Sequence, residues 1–355
     1  TGYDITSASE LMAILALAEN LGDLRTMIGR IVVGQTRSGA PVTTEDLKVA
    51  GAMTVIMKEA VKPNLVQNLE GGAVFVHAGP FANIAHGNSS IIADRMALKL
   101  GDYVVTESGF GADMGYEKFL NIKCRRSGLM PDCAVLVATV RGLKAHAPGV
   151  EVKAGRPLPP ELLGEDLVAL ASGIPNLVKH IENVRKSGVP VVVAINTFPT
   201  DTEAEHQAIV DAALAAGAFD AVSHTLHADG GAGGEALARA VVAACDEPST
   251  VSFNYDLLEP IGIKIVDIGV GVYGASKVEF SPTARAEIER FTEWGYGDVP
   301  VCMAKTQLSL SDDPALKGAP TDWTLYVRDI RLSAGAGFVY ALCGSMMTMP
   351  GLPAS

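Results

Sequence analysis

Residues 77–87, HAGPFANIAHG, set two His, a Pro and an Asn among glycines directly after the apolar run AVFV (73–76). A Gly-rich turn that leaves a strand and enters a helix can present backbone N–H groups to an anion, with His86 as a protonatable donor. It can equally be a tight turn whose His caps the helix. Four more loops carry reactive residue types after apolar runs. SGFGADMGYEKF follows Glu107 and offers Glu107 and Asp113 to a metal-bound nucleotide or a reacting acid, unless Asp113 only caps a helix. VRGLKAHA follows Thr139. TFPTDT follows Asn196, an amide placed where nucleotide-binding sheets often read a base, and Phe198 beyond it supplies an aromatic plane. The plainer reading of that loop is a Pro turn with Asp201 capping the next helix. TLHADGGAGG follows His224 and is either a flexible wall of a ligand site or an ordinary loop.

The elements that must hold these loops read as strands and helices in alternation. AVFVH, YVVTE (103–107), AVLVAT (134–139), PVVVAIN (190–196) and FDAVSH (219–224) are continuous apolar runs, as expected of strands covered on both faces. SSIIADRMALKLG and IPNLVKHIENVRKSG between them carry helical spacing, Leu177, Ile181 and Val184 lying at i, i+4 and i+7. The alternation predicts an α/β fold with a doubly wound, mostly parallel sheet, whose five loops converge on one edge and form a composite pocket. Residues 1–70 read as a small α+β unit. It opens with a helix boxed by Ser7 and Glu10 and stopped at Gly22, followed by two short strands around Ser38-Gly39. A second helix over 44–60 then turns Leu47, Met53, Ile56 and Met57 inward. Residues 71–247 form the main domain, and 248–355 a C-terminal α+β domain with a helix over 259–274, a strand KVEF, a further helix and two apolar strands, VPVCMA and GFVYALC.

Composition narrows the function classes. With 48% hydrophobic and 19% charged residues in 355, the chain has material for sizeable cores. A net charge of −12 without a basic cluster argues against nucleic acid as a partner. Five separated cysteines, none in a CxxC pair, indicate neither a disulfide framework nor a zinc site and suit a reducing cytoplasm. No HExxH, GxSxG or Cys/His signature is present, and no membrane-length apolar run. The P-loop GxxxxGK[ST], in which backbone amides hold phosphates and Lys and hydroxyl serve charge and Mg²⁺, is also absent.

Taken together, YDITSASE, GRIVVG, KPNLVQNLE, VHAGPFANIAHG, VVTESGFGADMGYEKF, KCRRSGLMPDCAVLVATVRGLKAH, PNLVKHIENV, VPVVVAINTFPTDTEAE, GYGDVPVCMAKTQ and VRDIRLSAGAGFV resemble the formate-tetrahydrofolate ligases. The resemblance implies a P-loop NTPase-like α/β enzyme, here incomplete, that is usually a homotetramer helped by K⁺ or NH₄⁺. It implies ATP with Mg²⁺, formate and tetrahydrofolate as reactants, and formyl phosphate as the carrier of the formyl group. For that chemistry His86 is taken as the donor at the reacting end with Glu107 as the reacting acid, and Asn196 is placed on the adenine side; the positions that match the family's pterin-stacking aromatics are Phe119 and Phe198. The chain resembles roughly the last two thirds of a family member, the P-loop segment lying upstream, so it is expected to be inactive without that partner segment. His227 stands where the family has the second Trp plane of the pterin clamp, and Ser223 where it usually has Leu. Those departures keep open a non-catalytic relative acting as a binding or assembly module.

Overall fold

The computed structural model describes residues 8–152 and 155–346. In chain order these form α1 (Glu10–Leu17), α2 (Leu21–Gly29), β1 (Val32–Gln35), β2 (Pro41–Thr43), α3 (Ala50–Met57), β3 (Asn64–Gln67), β4 (Ala73–Val76), α4 (Ile91–Ala97), α5 (Arg125–Ser127), β5 (Ala134–Ala138), α6 (Val140–Lys144), α7 (Leu167–Lys186), β6 (Val191–Asn196), α8 (Glu203–Ala215), β7 (Asp220–His224), α9 (Leu226–Asp229), α10 (Glu235–Cys245), α11 (Ile261–Val266), β8 (Lys277–Phe280), α12 (Pro282–Glu293), β9 (Val301–Ala304), β10 (Thr324–Ser333) and β11 (Phe338–Cys343). The chain is a mixed α/β protein divided into two compact units. One comprises 1–129, 254–307 and 322–355, the other 130–253 and 308–321. No helix among the described residues is long and apolar enough to cross a membrane.

The first unit holds a four-stranded sheet in the order β8-β10-β11-β9. β10 and β11 form an antiparallel hairpin, while β8 and β9 run parallel to their neighbours. Ile261, Ile265, Ile268, Phe291, Leu325 and Val339 form its core. In the same unit α1 and α2 bury Ile14, Leu24 and Ile28 against Phe338. Ser7 lies outside the described residues. Glu10 instead turns its carboxylate to the N–H groups of Gly335 and Ala336, accepting at 2.5 and 3.2 Å. Gly22 lies inside α2, which Asn20 caps, rather than stopping α1. On α3, Met53 and Met57 pack on the core as expected. Ile56 does not, nor does Leu47, which lies in the turn before α3: they are 80% and 54% exposed.

The second unit contains the three-stranded parallel sheet β5-β6-β7. Every residue of β6 from Val191 to Ile195 is buried, because the strand is central and covered on both faces. Val192 and Ala194 meet Leu237, Ala240 and Ala244 of α10. The alternate residues Val191, Val193 and Ile195 therefore face the other side, where α7 and α8 pack on the sheet. α7 begins seven residues earlier than the helical spacing suggested and carries Pro175 within it.

Only three of the five loops follow parallel strands. AVFV pairs antiparallel with Asn64–Gln67 in a two-stranded hairpin. YVVTE is not a strand at all: Tyr103 and Val105 are 53% and 86% exposed, and the only pairing nearby is an isolated bridge from Asn88 to Ser108. Both of these loops belong to the first unit, so the expectation of five loops on one sheet edge is corrected to three.

Candidate functional site

The carboxyl edge of the β5-β6-β7 sheet gathers the loops after Ala138, Asn196 and His224. Thr139 leaves β5 and caps α6, its hydroxyl accepting from Gly142 N–H at 3.0 Å. This turn places Arg141 over the ring of Phe198, its guanidinium carbon 3.6 Å from the centroid. Arg141 also reaches Thr200 Oγ1 at 3.4 Å, while its buried Nε has no hydrogen-bond partner among the described residues. Phe198 is thus an oriented aromatic plane with one face already taken by a cation. The turn itself is fixed by Asp201, whose Oδ2 accepts from Phe198 N–H at 2.9 Å. Asp201 is not the cap of α8. Thr202 is, through a capping box with Glu205.

Asn196 is half-buried and stands opposite His224 in the β6–β7 register. His224 is buried, and that burial lowers its pKa. Ser223, exposed on β7, lies 3.2 Å from His206 Nδ1. His227 is exposed on α9, a short helix held by Thr225 Oγ1 donating to Asp229 Oδ2 at 2.6 Å. The Gly-rich loop closes back on this helix: Thr225 N–H bonds Gly233 O at 3.0 Å, and a Cβ at Gly233 would meet Thr225 Oγ1 at 2.6 Å. Asn196, Phe198, Ser223 and His227 are therefore brought to one rim. Arg141 joins them without having been singled out by sequence; its signal was its position two residues past Thr139.

Lys144 of the RGLKAH stretch is spent elsewhere. It is 1% exposed, donates to Gly164 O at 2.6 Å, and pairs with the fully buried Glu205 at 2.8 Å. Burial pushes the Glu205 carboxyl up. The Lys144 bond and the N–H groups of Asp166 and Thr202 outweigh that and hold it below its ordinary range.

His86, Glu107 and Phe119 belong to the first unit. His86 is completely buried, and among the described residues neither ring nitrogen has a hydrogen-bond partner. Burial pulls its pKa down to about 3, and the charges of Lys123 and Lys118 push the same way. The protonated donor expected of His86 is therefore a neutral imidazole. His77 is structural, bridging Ser90 Oγ at 2.6 Å and Ala60 O at 2.7 Å, and Ser90 caps α4. Glu107 is exposed on an irregular segment. Phe119 is half-buried and meets Tyr116 at 6.5 Å between ring centroids.

The SGFGADMGYEKF stretch winds into π-helical turns, Ala112–Tyr116 and Phe119–Cys124, which aim several polar side chains inward. Asp113, expected as a ligand or a cap, forms a buried pair with Lys305 at 2.7 Å. Lys305 in turn sits 4.9 Å over the Tyr273 ring. Glu117 accepts from Asn121 at 2.8 Å, and burial raises its pKa to about 7. Lys123 pairs with Asp94 at 2.6 Å, and Lys118 donates to Ala82 O. Sequence spacing cannot show that these cations are interior.

An open parallel sheet that assembles an aromatic plane, an amide and a Gly-rich wall at its carboxyl edge is of the α/β class that takes ligands at that edge. The family profile described as formate–tetrahydrofolate ligase matches residues 1–355. A formate–tetrahydrofolate ligase of Saccharopolyspora erythraea is 56% identical over 352 residues, covering 99% of this chain and 62% of the relative. One of Roseiflexus sp. strain RS-1 is 55% identical with the same coverage. Human cytoplasmic C-1-tetrahydrofolate synthase is 56% identical over 354 residues, covering 99% of this chain and 38% of that protein. The chain belongs to the formate–tetrahydrofolate ligase family. It spans about 62% of the length of the curated relatives first matched.

Proposed function

We propose that the protein carrying this chain ligates formate to tetrahydrofolate at the expense of ATP, by way of formyl phosphate, in cytoplasmic one-carbon metabolism. The observation that carries this reading is identity of 55–56% to named ligases across 99% of the chain. The rim supports it: Phe198, braced by Arg141, suits the flat pterin of tetrahydrofolate on its remaining face. Asn196 is assigned to the adenine side, with Ser223 and His227 bordering the pterin. His86 and Glu107 are kept as the candidates for the reacting end. A neutral His86 can still donate one N–H to charge developing on oxygen. Phe119 is the second proposed aromatic contact.

The triphosphate is a different matter. The sequence has no GxxxxGK[ST], and Lys144 is committed to Glu205. The residues present therefore do not fit a triphosphate grip, and we assign that grip, with Mg²⁺, to the remainder of the family's length. It would complete the P-loop NTPase-like sheet, and these residues alone would not turn over ATP. Assembly as a homotetramer and activation by K⁺ or NH₄⁺ are proposed on the same likeness. ATP supplies the phosphoryl group that activates formate. The role of this chain is to hold the folate, orient its acceptor nitrogen and keep water from the activated formyl group. Titration of the full protein with tetrahydrofolate tests the reading. Phe198→Ala should weaken binding about five- to tenfold, the equivalent of ~1–1.5 kcal/mol of aromatic contact. Unchanged affinity would remove the rim from the folate site and favour a relative with a changed role.

A further inference from the structure

The rim holds a chain of three side chains to which the ligase reading gives no chemical step, Ser223 serving there only as a border of the proposed pterin site. Ser223 Oγ lies 3.2 Å from His206 Nδ1, and His206 Nε2 lies 3.5 Å from Asp201 Oδ2. Each member is placed by a separate element. Ser223 is on β7, His206 in the first turn and a half of α8, and Asp201 in the turn between β6 and α8. Asp201 is fixed independently by accepting Phe198 N–H at 2.9 Å. The side chains of His206 and Asp201 are 11% and 2% exposed, whereas Ser223 is open to solvent. The order from outside to inside is therefore hydroxyl, imidazole, carboxylate.

The protonation pattern follows from the donors available. An ionised carboxylate only accepts, so neutral His206 carries its proton on Nε2 and points it at Asp201. Nδ1 is then a lone pair facing the Ser223 hydroxyl, ready to take its proton. This is the division of labour of a nucleophile, a general base and an orienting acid, with the ring used the other way round from the usual serine hydrolase. The likeness to the ligases provides no such role, since the family usually has Leu where Ser223 stands.

We propose that Ser223, with His206 as general base and Asp201 as the residue positioning His206, is an acyl-accepting site that hydrolyses short-chain activated esters. Ser223 Oγ attacks the ester carbonyl as His206 Nδ1 takes the hydroxyl proton. Collapse of the adduct breaks the acyl–oxygen bond, and His206 returns the proton to the departing alkoxide, releasing an alcohol and leaving acyl-Ser223. Water, deprotonated by His206, then attacks the acyl carbon, releasing the acid and restoring the serine. No oxidant, reductant or metal enters the balance. Short acyl groups are specified because Ser223 stands on an exposed strand end. The 3.5 Å His206–Asp201 separation predicts a slow site.

The test is stopped-flow hydrolysis of 4-nitrophenyl acetate by the full protein, with mass mapping of the acetylated peptide. The wild type should show a burst of nitrophenolate and an acetyl group on Ser223. Ser223→Ala should abolish both. His206→Gln should slow acylation on the order of 10²-fold, the usual contribution of a general base, with the circular dichroism spectrum unchanged. Ser223→Cys should still be acetylated at that position, which separates loss of the nucleophile from loss of the fold. Asp201→Asn should lower the acylation rate constant and leave the ester's binding constant unchanged. Hydrolysis by Ser223→Ala at the wild-type rate, acetylation confined to other residues, or no hydrolysis above buffer would each overturn the proposal.

Discussion

Replacing Lys144 with Met would remove a cation from the interior of the second unit. Lys144 and Glu205 are 1% and 0% exposed and 2.8 Å apart, and Lys144 also donates to Gly164 O at 2.6 Å. Breaking a buried pair by deleting one partner costs about 3–5 kcal/mol, because an uncompensated charge remains. Glu205 would keep the N–H groups of Asp166 and Thr202 at 3.0 and 3.2 Å, which pulls the expectation toward the lower end. The unbonded Gly164 carbonyl adds about 1 kcal/mol. Together these give a loss of about 3–5 kcal/mol in urea unfolding at pH 7, monitored by circular dichroism. The sign with pH is defined. The Glu205 pKa is depressed in the wild type, so its contribution is present above the ordinary value of 4.5 and fades as pH falls through the folded pKa. The deficit of Lys144→Met should therefore be greatest near neutrality and shrink below pH 4.5. Adding Glu205→Gln removes the stranded charge but keeps an acceptor for only one of the two N–H groups, which bond different carboxylate oxygens, and should recover part of the loss. A single variant within about 1 kcal/mol of wild type, or a double variant no more stable than the single, would refute the reasoning.

Glu10 makes the opposite pH prediction. Burial raises its pKa from 4.5 to about 7 against the opposing bonds from Ala336 and Gly335, so the fold holds its proton where the unfolded chain has released it. Its contribution is complete below pH 4.5 and is lost as pH rises to 7, by up to about 3 kcal/mol. Denaturant titrations across that window should show Glu10→Gln with a flatter profile than wild type; an unchanged profile would contradict the assignment. His227→Trp would restore an aromatic plane to the exposed turn of α9, and tetrahydrofolate should bind about fivefold more tightly, a stacking gain of ~1 kcal/mol. No gain would place the ring away from α9.

The central strand was legible because burial on both faces leaves a continuous apolar run, and VVVAI carries it openly. β10 was not: its register shifts between Val327 and Asp329, so buried Leu325, Val327 and Ile330 break the two-residue alternation, and Arg328, Asp329 and Arg331 interrupt the run. YVVTE misled for the converse reason, since β-branched residues record propensity and not coverage. The 112–124 segment hid its inward face because π-helical winding departs from the 3.6-residue period. Of the site, Asn196 and Phe198 could be placed at and just beyond a strand end from pattern alone, whereas Ser223 and His227 were singled out only by the family resemblance. The Arg141–Phe198 stack and the Ser223–His206–Asp201 chain join loops and elements through space, and no linear spacing encodes them.

Hydrogen exchange of the full protein with and without tetrahydrofolate tests the central claim, that the carboxyl edge of the β5-β6-β7 sheet receives the folate. The account predicts slowed exchange in the backbone amides of 196–201 and 223–234, and loss of that protection in Phe198→Ala. Protection that leaves both segments unchanged while tetrahydrofolate is bound would contradict it.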